Sequence, residues 1–140
     1  MKRILLLLIF SFLLLGCSKY DIDKQIDKAE AEQVANQFYY FLQIKDFDKA
    51  ENLFLIDSIS SIKNRFMLNQ LFEKTIYEYG NIRNFELDFW NTVTSDDSLG
   101  QYLLKYYVTR EYHHTFEKIS MLKVNDSIKI IGYQLDRNSY

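Results

Sequence analysis

The chain has 140 residues, with 17 Lys and Arg against 19 Asp and Glu, a formal net charge of -2 and a single Cys. With 48% hydrophobic and 26% charged residues it is too apolar for a disordered chain, and its length predicts one domain, since chains usually divide only beyond about 250 residues. One Cys excludes a disulfide scaffold and a multi-thiolate metal site. The near-neutral charge argues against a nucleic-acid-binding protein, because phosphates require a basic face.

The N-terminal segment has the pattern of a targeting signal. Lys2 and Arg3 supply positive charge, and the apolar run from Ile4 to Leu15 is interrupted only by Ser11. This run is shorter than the roughly 20 residues that a membrane-spanning helix needs. Residues 1–16 are therefore predicted to be a signal peptide rather than a transmembrane anchor.

Leu14-Leu15-Gly16-Cys17 resembles the lipobox of bacterial lipoproteins, in which the Cys receives diacylglycerol and the preceding peptide is removed. The resemblance implies a lipid on Cys17, a short tether over residues 17–23 and attachment to a membrane of the bacterial cell envelope. Because Ser18 rather than Asp follows the Cys, it also implies the periplasmic side of the outer membrane. Residues 18–21 are similar to the surface-export signal of some Bacteroidetes lipoproteins, so surface exposure stays open. An ordinary secretory signal with a chance Cys is the alternative.

Three helices are predicted in the first half of the remaining chain. Apolar residues recur at steps of three and four over Asp21 to Ile44, which predicts one long amphipathic helix. Asp46 is a candidate N-cap for a short second helix. A third helix follows Asp57-Ser58 and ends at Gly80, a residue suited to a left-handed C-terminal stop. Its predicted apolar stripe consists of Ile59, Ile62, Phe66, Phe72, Ile76 and Tyr79.

Beyond Gly80 the apolar residues alternate, which predicts strands. The predicted strands cover Ile82–Thr94, Tyr102–Glu111, Thr115–Val124 and Ser127–Leu135, with turns at Ser95–Ser98, Tyr112–His114 and Asn125-Asp126. Short connections favour an antiparallel meander. Helices followed by a sheet predict an α+β fold, in which one long and two further N-terminal helices pack on a curved antiparallel four-stranded sheet.

Three motifs resemble the nuclear-transport-factor-2-like (NTF2-like), or cystatin-like, superfamily and, within it, small bacterial lipoproteins. They are Asp46-Phe47-Asp48-Lys49-Ala50, the Tyr79-Gly80 pair and Ile131-Gly132-Tyr133, and the resemblance spans about residues 24 to 135. It implies a single domain over residues 24–140, in which a curved sheet wraps the long helix and encloses a cone. Members of the superfamily range from dehydratases and isomerases to binding domains, so the fold leaves the function open.

Enzymes of this superfamily tend to place an Asp, His or Tyr inside the cone, and the candidate pocket residues here are Tyr39, Asn91 and Tyr106. Tyr39 lies on the long helix, and alternation places Asn91 and Tyr106 among apolar strand residues. A Tyr hydroxyl in such a pocket could orient a ligand or act as an acid. The alternatives are core aromatics with their hydroxyls at the rim and, for Asn91, a strand end near solvent.

No catalytic residue, metal site or cofactor is predicted. His113 and His114 are the only histidines, and adjacent strand residues point to opposite faces, so they cannot both reach one metal in regular β structure. The sequence also contains no phosphate-binding glycine loop, nucleophile elbow or calcium loop.

Aromatic residues are abundant, with 11 Tyr, 11 Phe and one Trp. Alternation places Trp90 and Tyr107 on the sheet faces opposite to the predicted core, and Tyr and Trp are common at protein contact surfaces. These two residues form the predicted partner surface, although a Tyr-rich genome would give the same composition.

Three functional hypotheses follow. The first is a membrane-tethered, non-catalytic binding or assembly module for an envelope protein or an apolar small ligand. The second is a structural lipoprotein without a discrete ligand, and the third is a small-molecule lyase or isomerase that uses the cone. An open cone lined by polar groups favours ligand binding or catalysis, whereas a cone packed with aromatic side chains leaves only surfaces.

Overall fold

The computed structural model of the chain describes residues 19–55, 62–93 and 100–136, with side chains described from residue 27 onward except at 62, 63 and 93. The predicted signal peptide, Cys17 and the predicted turn at Ser95–Ser98 lie outside the described residues. The elements are α1 (Lys19–Gln43), α2 (Phe47–Glu51), α3 (Ile62–Tyr79), β1 (Ile82–Val93), β2 (Gln101–Arg110), β3 (His114–Val124) and β4 (Ser127–Asp136).

The long helix α1 begins earlier than the sequence pattern indicates. Residues 19–23, predicted as part of a tether, are helical. The core-facing residues of α1 follow the spacing of three and four that defines one face of a helix. These buried residues are Ala31, Ala35, Phe38, Tyr39 and Leu42.

Asp46 caps the short helix α2, as predicted. Its carboxylate accepts a hydrogen bond from the Lys49 backbone N–H at 3.3 Å, which satisfies one of the free donors at a helix start. Beyond α2, Phe54 forms a parallel bridge with Ile130 of β4. The segment after α2 therefore covers part of the β4 edge.

Helix α3 ends where Gly80 adopts a φ of +84°, which confirms the predicted left-handed stop. Phe72 is buried against Phe38 and Tyr133, but Phe66, predicted on the same stripe, is 62% exposed. Six residues of α-helix rotate the chain by about 600°, which leaves Phe66 and Phe72 about a third of a turn apart. The predicted stripe was therefore too wide.

The four strands form one antiparallel sheet in the order β1-β2-β3-β4, as predicted. Asn125 and Asp126 join β3 to β4 with φ angles of 48° and 61°, the left-handed pair typical of a tight hairpin turn. We call the sheet face that packs on α1 the inner face and the opposite one the outer face. On β2 the inner face carries the buried side chains of Tyr102, Leu104, Tyr106, Val108 and Arg110.

A bulge in β1 reverses the faces of its second half. Leu87 pairs with Tyr106 and Phe89 pairs with Lys105, so that Asp88 is an extra residue. Simple alternation fails beyond this point, because one inserted residue moves every later side chain to the other face. The second half of β1 consequently presents Trp90 to the inner face and Phe89 to the outer face.

Candidate functional site

The space between α1 and the inner face, which we call the cone, is filled by aromatic rings. Tyr39 of α1 stacks on Phe85 with ring centroids 4.6 Å apart, and it meets Tyr106 edge-on at 5.0 Å. Phe38 packs against Tyr133 at 5.1 Å. Tyr39 has no exposed surface and Tyr106 is buried beside it. Solvent therefore does not reach the Tyr39 side chain, and Tyr106 is almost fully shielded.

A buried ion pair lies at one end of the cone. Glu117 of β3 has no exposed surface, and its Oε1 accepts hydrogen bonds from Arg110 Nη2 at 2.7 Å and Nε at 3.1 Å. The Thr115 hydroxyl donates to the same oxygen at 2.7 Å, and the Tyr133 hydroxyl donates to Oε2 at 2.7 Å. Arg110 Nη1 also donates to the Gly80 carbonyl at 3.3 Å. We call Arg110, Thr115, Glu117 and Tyr133 the Glu117 network.

Burial and the Glu117 charge set the protonation of this region. Burial raises the pKa of Tyr39 and Tyr133 well above the usual value for tyrosine, and the nearby Glu117 carboxylate raises both further. Burial alone would lower the pKa of Arg110, but the facing carboxylate outweighs it and the pKa is raised. These tyrosines stay protonated and Arg110 stays charged at neutral pH.

The Glu117 network suits structural stabilisation better than acid–base catalysis. A general base must be within hydrogen-bond reach of a substrate proton, whereas Glu117 has no exposed surface and each of its carboxylate oxygens accepts a hydrogen bond from the protein. Within the described residues, the hydroxyls of Tyr39 and Tyr106 are buried without a hydrogen-bond partner. Because both side chains are buried, another molecule would reach these two hydroxyls only if the cone opened.

Tyr39 and Tyr106, both predicted as pocket residues, contact each other in the packed cone, whereas the sequence pattern did not predict the Glu117 network. Arg110 continues the inward alternation of β2, and Thr115 and Glu117 share the inward alternation of β3 with Ile119. A charged residue at an inward-facing strand position was the sequence signal for this network, because charged side chains are almost never fully buried unless they are paired.

Two predicted placements on β1 were wrong. Asn91 is exposed on the outer face, opposite Leu103, rather than in a pocket. Trp90 lies on the inner face and stacks on Tyr102 with centroids 6.3 Å apart, so it does not belong to the outer surface. Both errors have one cause, the bulge at Asp88, which the sequence pattern did not reveal.

The outer face carries an aromatic cluster around Tyr107, which lies there as predicted. His114 stacks on Tyr107 at 5.1 Å, Phe116 meets it edge-on at 5.3 Å, and Lys105 Nζ lies 4.7 Å from the Phe116 ring. Phe89 on the neighbouring strand is 49% exposed. We call Phe89, Lys105, Tyr107, His114 and Phe116 the outer cluster.

Two cavities lie between α3 and β4 in the described part of the chain, and the second borders the cone at Tyr133. One of about 420 Å³ has mixed polarity, and its lining includes Thr75, Lys118 and Gln134. The other, of about 500 Å³, is mainly apolar and is lined by residues that include Phe54, Leu68 and Ile131. Leu71 and Lys74 line both cavities, which therefore form adjoining parts of one groove.

Neither a metal centre nor a membrane-spanning helix is found in the parts of the chain that the structure describes. No three His, Cys, Asp or Glu side chains there are grouped to hold a metal ion, and no helix there is long and apolar enough to cross a bilayer. His113 and His114 are both exposed, and His113 contacts the Tyr79 ring while His114 contacts Tyr107.

Comparisons with known proteins define the fold. No protein-family model matches the chain, and no curated protein sequence matches it. Among solved structures, the chain is similar to Aln2 from a Streptomyces species, with a TM-score of 0.55 and 11% sequence identity, over 79% of this chain and 90% of that one. The chain is therefore an α+β protein with helices packed on an open, four-stranded antiparallel sheet, and it shares its fold with Aln2.

Proposed function

We propose that this chain is a membrane-anchored bacterial lipoprotein whose NTF2-like domain acts as a non-catalytic binding or assembly module of the cell envelope. The packed cone carries the proposal, because Tyr39 and Glu117 have no exposed surface and both Glu117 oxygens are occupied. A substrate would have to displace this packing before reaching a buried polar group. The lipobox resemblance at Cys17 supports the anchor, and Ser18 favours the periplasmic side of the outer membrane, with surface exposure open.

The proposed partner surface is the outer cluster. Tyr107 and Phe116 offer aromatic area with few rotatable bonds, and Lys105 adds one charge. Such combinations are typical of residues that contribute most of the energy at protein interfaces. An envelope protein is the proposed partner at this surface.

A small-molecule function is the second candidate, and two observations favour it. The buried hydroxyls of Tyr39 and Tyr106 have no described partner, and the apolar part of the α3–β4 groove has a volume typical of ligand sites. An apolar ligand would occupy the groove, whereas a lyase or isomerase reaction would require the cone to open.

The anchor is tested by changing the single Cys. Cys17→Ala should abolish acylation, seen as loss of the lipid mass in intact mass spectrometry, and should release the protein from the membrane fraction. Ser18→Ala is the matched control and should keep both the lipid and the membrane location. Persistent membrane attachment of Cys17→Ala would contradict the proposed anchor.

The partner surface is tested by photo-cross-linking in cells. A photoreactive phenylalanine at position 107 should give a discrete adduct, because the proposed partner covers Tyr107. The same amino acid at position 77 is the control, since Tyr77 is 87% exposed but lies on α3. Adducts from position 77 alone, or equal adducts from both positions, would place the partner elsewhere.

A further inference from the structure

A cluster of contacts fixes α1 to one end of the sheet. The Asp27 carboxylate accepts hydrogen bonds of 2.6 Å from the Tyr102 hydroxyl and 2.6 Å from Lys123 Nζ. One turn further along α1, the Glu30 carboxylate accepts a hydrogen bond from the Ile128 backbone N–H at 3.2 Å. We call these five residues the clamp. They join α1 to β2, β3 and β4 together.

The clamp is supported by packing and by charge. Trp90 stacks on Tyr102, and Lys28 Nζ lies 5.9 Å from the centroid of the Trp90 ring. Burial would raise the pKa of Asp27, but the hydrogen bonds from Lys123 and Tyr102 outweigh it and lower the pKa. Asp27 is therefore ionised at neutral pH, and the clamp holds the direction of α1 against the sheet.

From the clamp, α1 runs along the inner face to the opposite end of the sheet. There Gln43 Nε2 donates to the Ile82 carbonyl at 3.4 Å. From Asp27 to Gln43 the helix rises about 24 Å at about 1.5 Å per residue, which covers most of the length of the 11-residue strand β3, about 35 Å at about 3.3 Å per residue. One end of the domain thus carries the clamp and the Asn125-Asp126 turn, and the other carries Gly80 and Tyr112.

Beyond the clamp, α1 continues toward Cys17 as a helix. From Lys19 to Asp27 the helix rises about 12 Å at about 1.5 Å per residue. Only Ser18 separates Lys19 from Cys17 in the sequence. A lipid on Cys17 would therefore be joined to a helix that is fixed to the sheet, rather than to a long flexible tether.

We infer that the domain sits on a lipid bilayer in one orientation, with the clamp end toward the membrane and the Gly80 end away from it. The inference rests on the lipid anchor proposed above. The side chains of Asn125, Asp126 and Ser127 at the membrane-facing turn are exposed and polar, which suits a surface that faces headgroups without inserting. Tyr77 and Tyr112, which are 87% and 67% exposed, lie near the Gly80 end and would face away from the membrane.

The orientation is tested by energy transfer from tryptophan to dansyl-labelled lipid. Because the chain has one Trp, Trp90→Phe combined with Ser127→Trp places the donor at the membrane-facing turn, and Trp90→Phe combined with Tyr112→Trp places it at the far end. The acylated proteins are reconstituted in vesicles of phosphatidylethanolamine and phosphatidylglycerol. Transfer should be several-fold stronger from position 127 than from position 112. Equal or reversed transfer would overturn the orientation.

Two further experiments test separately whether α1 sets the orientation and whether the lipid anchor exists. A Gly-Ser insertion between Ser18 and Lys19 should reduce the difference between the two positions, because it replaces the rigid connection with a flexible one. An unchanged difference would show that α1 does not set the orientation. If cells do not acylate the chain, the proposed anchor fails, but the orientation is still tested after coupling Cys17, the only thiol, to a maleimide lipid.

Discussion

Glu117 and Arg110 form an ion pair in which neither side chain has more than 1% of its surface exposed. Removing one partner of such a pair leaves the other as an uncompensated buried charge. Glu117→Gln keeps the shape of the side chain and should lower the free energy of unfolding by about 3–5 kcal/mol. Urea denaturation followed by circular dichroism measures the change.

The matched control for Glu117→Gln is Glu73→Gln on the exposed surface of α3. This substitution should alter the free energy of unfolding by no more than about 0.5 kcal/mol. Similar values for the two variants would contradict the view that the Glu117 network stabilises the fold.

Three of the buried tyrosines, Tyr39, Tyr106 and Tyr133, differ in whether the hydroxyl has a hydrogen-bond partner. The Tyr133 hydroxyl donates to Glu117, so Tyr133→Phe should cost about 1.5–3 kcal/mol, the range for hydrogen bonds to charged groups. Tyr39→Phe and Tyr106→Phe remove unpaired hydroxyls and should be neutral or stabilising. Denaturant midpoints of the three variants make the comparison. A loss at Tyr39 equal to that at Tyr133 would mean that its hydroxyl is bound.

At the scale of elements, the junction of α3 and β1 depends on Gly80. A Cβ added there would lie 2.5 Å from Glu111 Cβ, and the φ of +84° is unfavourable for other residues. Gly80→Ala should therefore destabilise the protein by about 1–3 kcal/mol in thermal unfolding. In Gly132→Ala the nearest atom, Ser120 Cβ, is 3.7 Å away, so this control should change stability little. Equal losses of stability in Gly80→Ala and Gly132→Ala would contradict the view that Gly80 is required for its positive φ and its close contact with Glu111.

Among the register shifts of the sheet, the bulge at Asp88 of β1 determines the faces on which Phe89 and Trp90 lie. It places Trp90 inward against Tyr102 and leaves Phe89 half exposed. Trp90 fluorescence should therefore be weakly quenched by iodide, whereas Trp90→Phe combined with Phe89→Trp should give an emission that is strongly quenched. Strong iodide quenching of the natural Trp90 would indicate that Trp90 lies on the outer face, as regular alternation predicts, and would contradict the bulge.

At the scale of the whole molecule, the sequence pattern was sufficient to predict the α+β class, the antiparallel order of the strands, the helix start at Asp46 and the helix end at Gly80. Each of these features depends on residues close together in the chain, so local patterns contain them. The long helix followed from the same patterns. None of these features required knowledge of tertiary contacts.

The remaining features depend on how distant residues align. Arg110 and Glu117 meet because β2 and β3 pair in one register, and the bulge at Asp88 depends on the pairing of β1 with β2. A sequence pattern does not specify a one-residue slip. Such a slip moves Asn91 from the predicted inner face to the outer face, and it moves Trp90 from the predicted outer face to the inner face. The residues of the candidate site were therefore predicted only in part: Tyr39 and Tyr106 were named from the sequence, whereas Tyr133 and the Arg110–Glu117 ion pair were not.

The central claim is that the cone is a packed interior and that the protein acts through its surfaces. A crystal structure determined under xenon pressure tests this most directly, because xenon enters empty apolar cavities inside proteins. A packed cone predicts no xenon between α1 and the inner face, with Tyr39 packed on Phe85 and Tyr106 and with Glu117 bound by Arg110. Xenon or an open, ligand-sized space beside Tyr39 and Tyr106 would contradict the claim and would favour a lyase, an isomerase or a small-molecule binding protein.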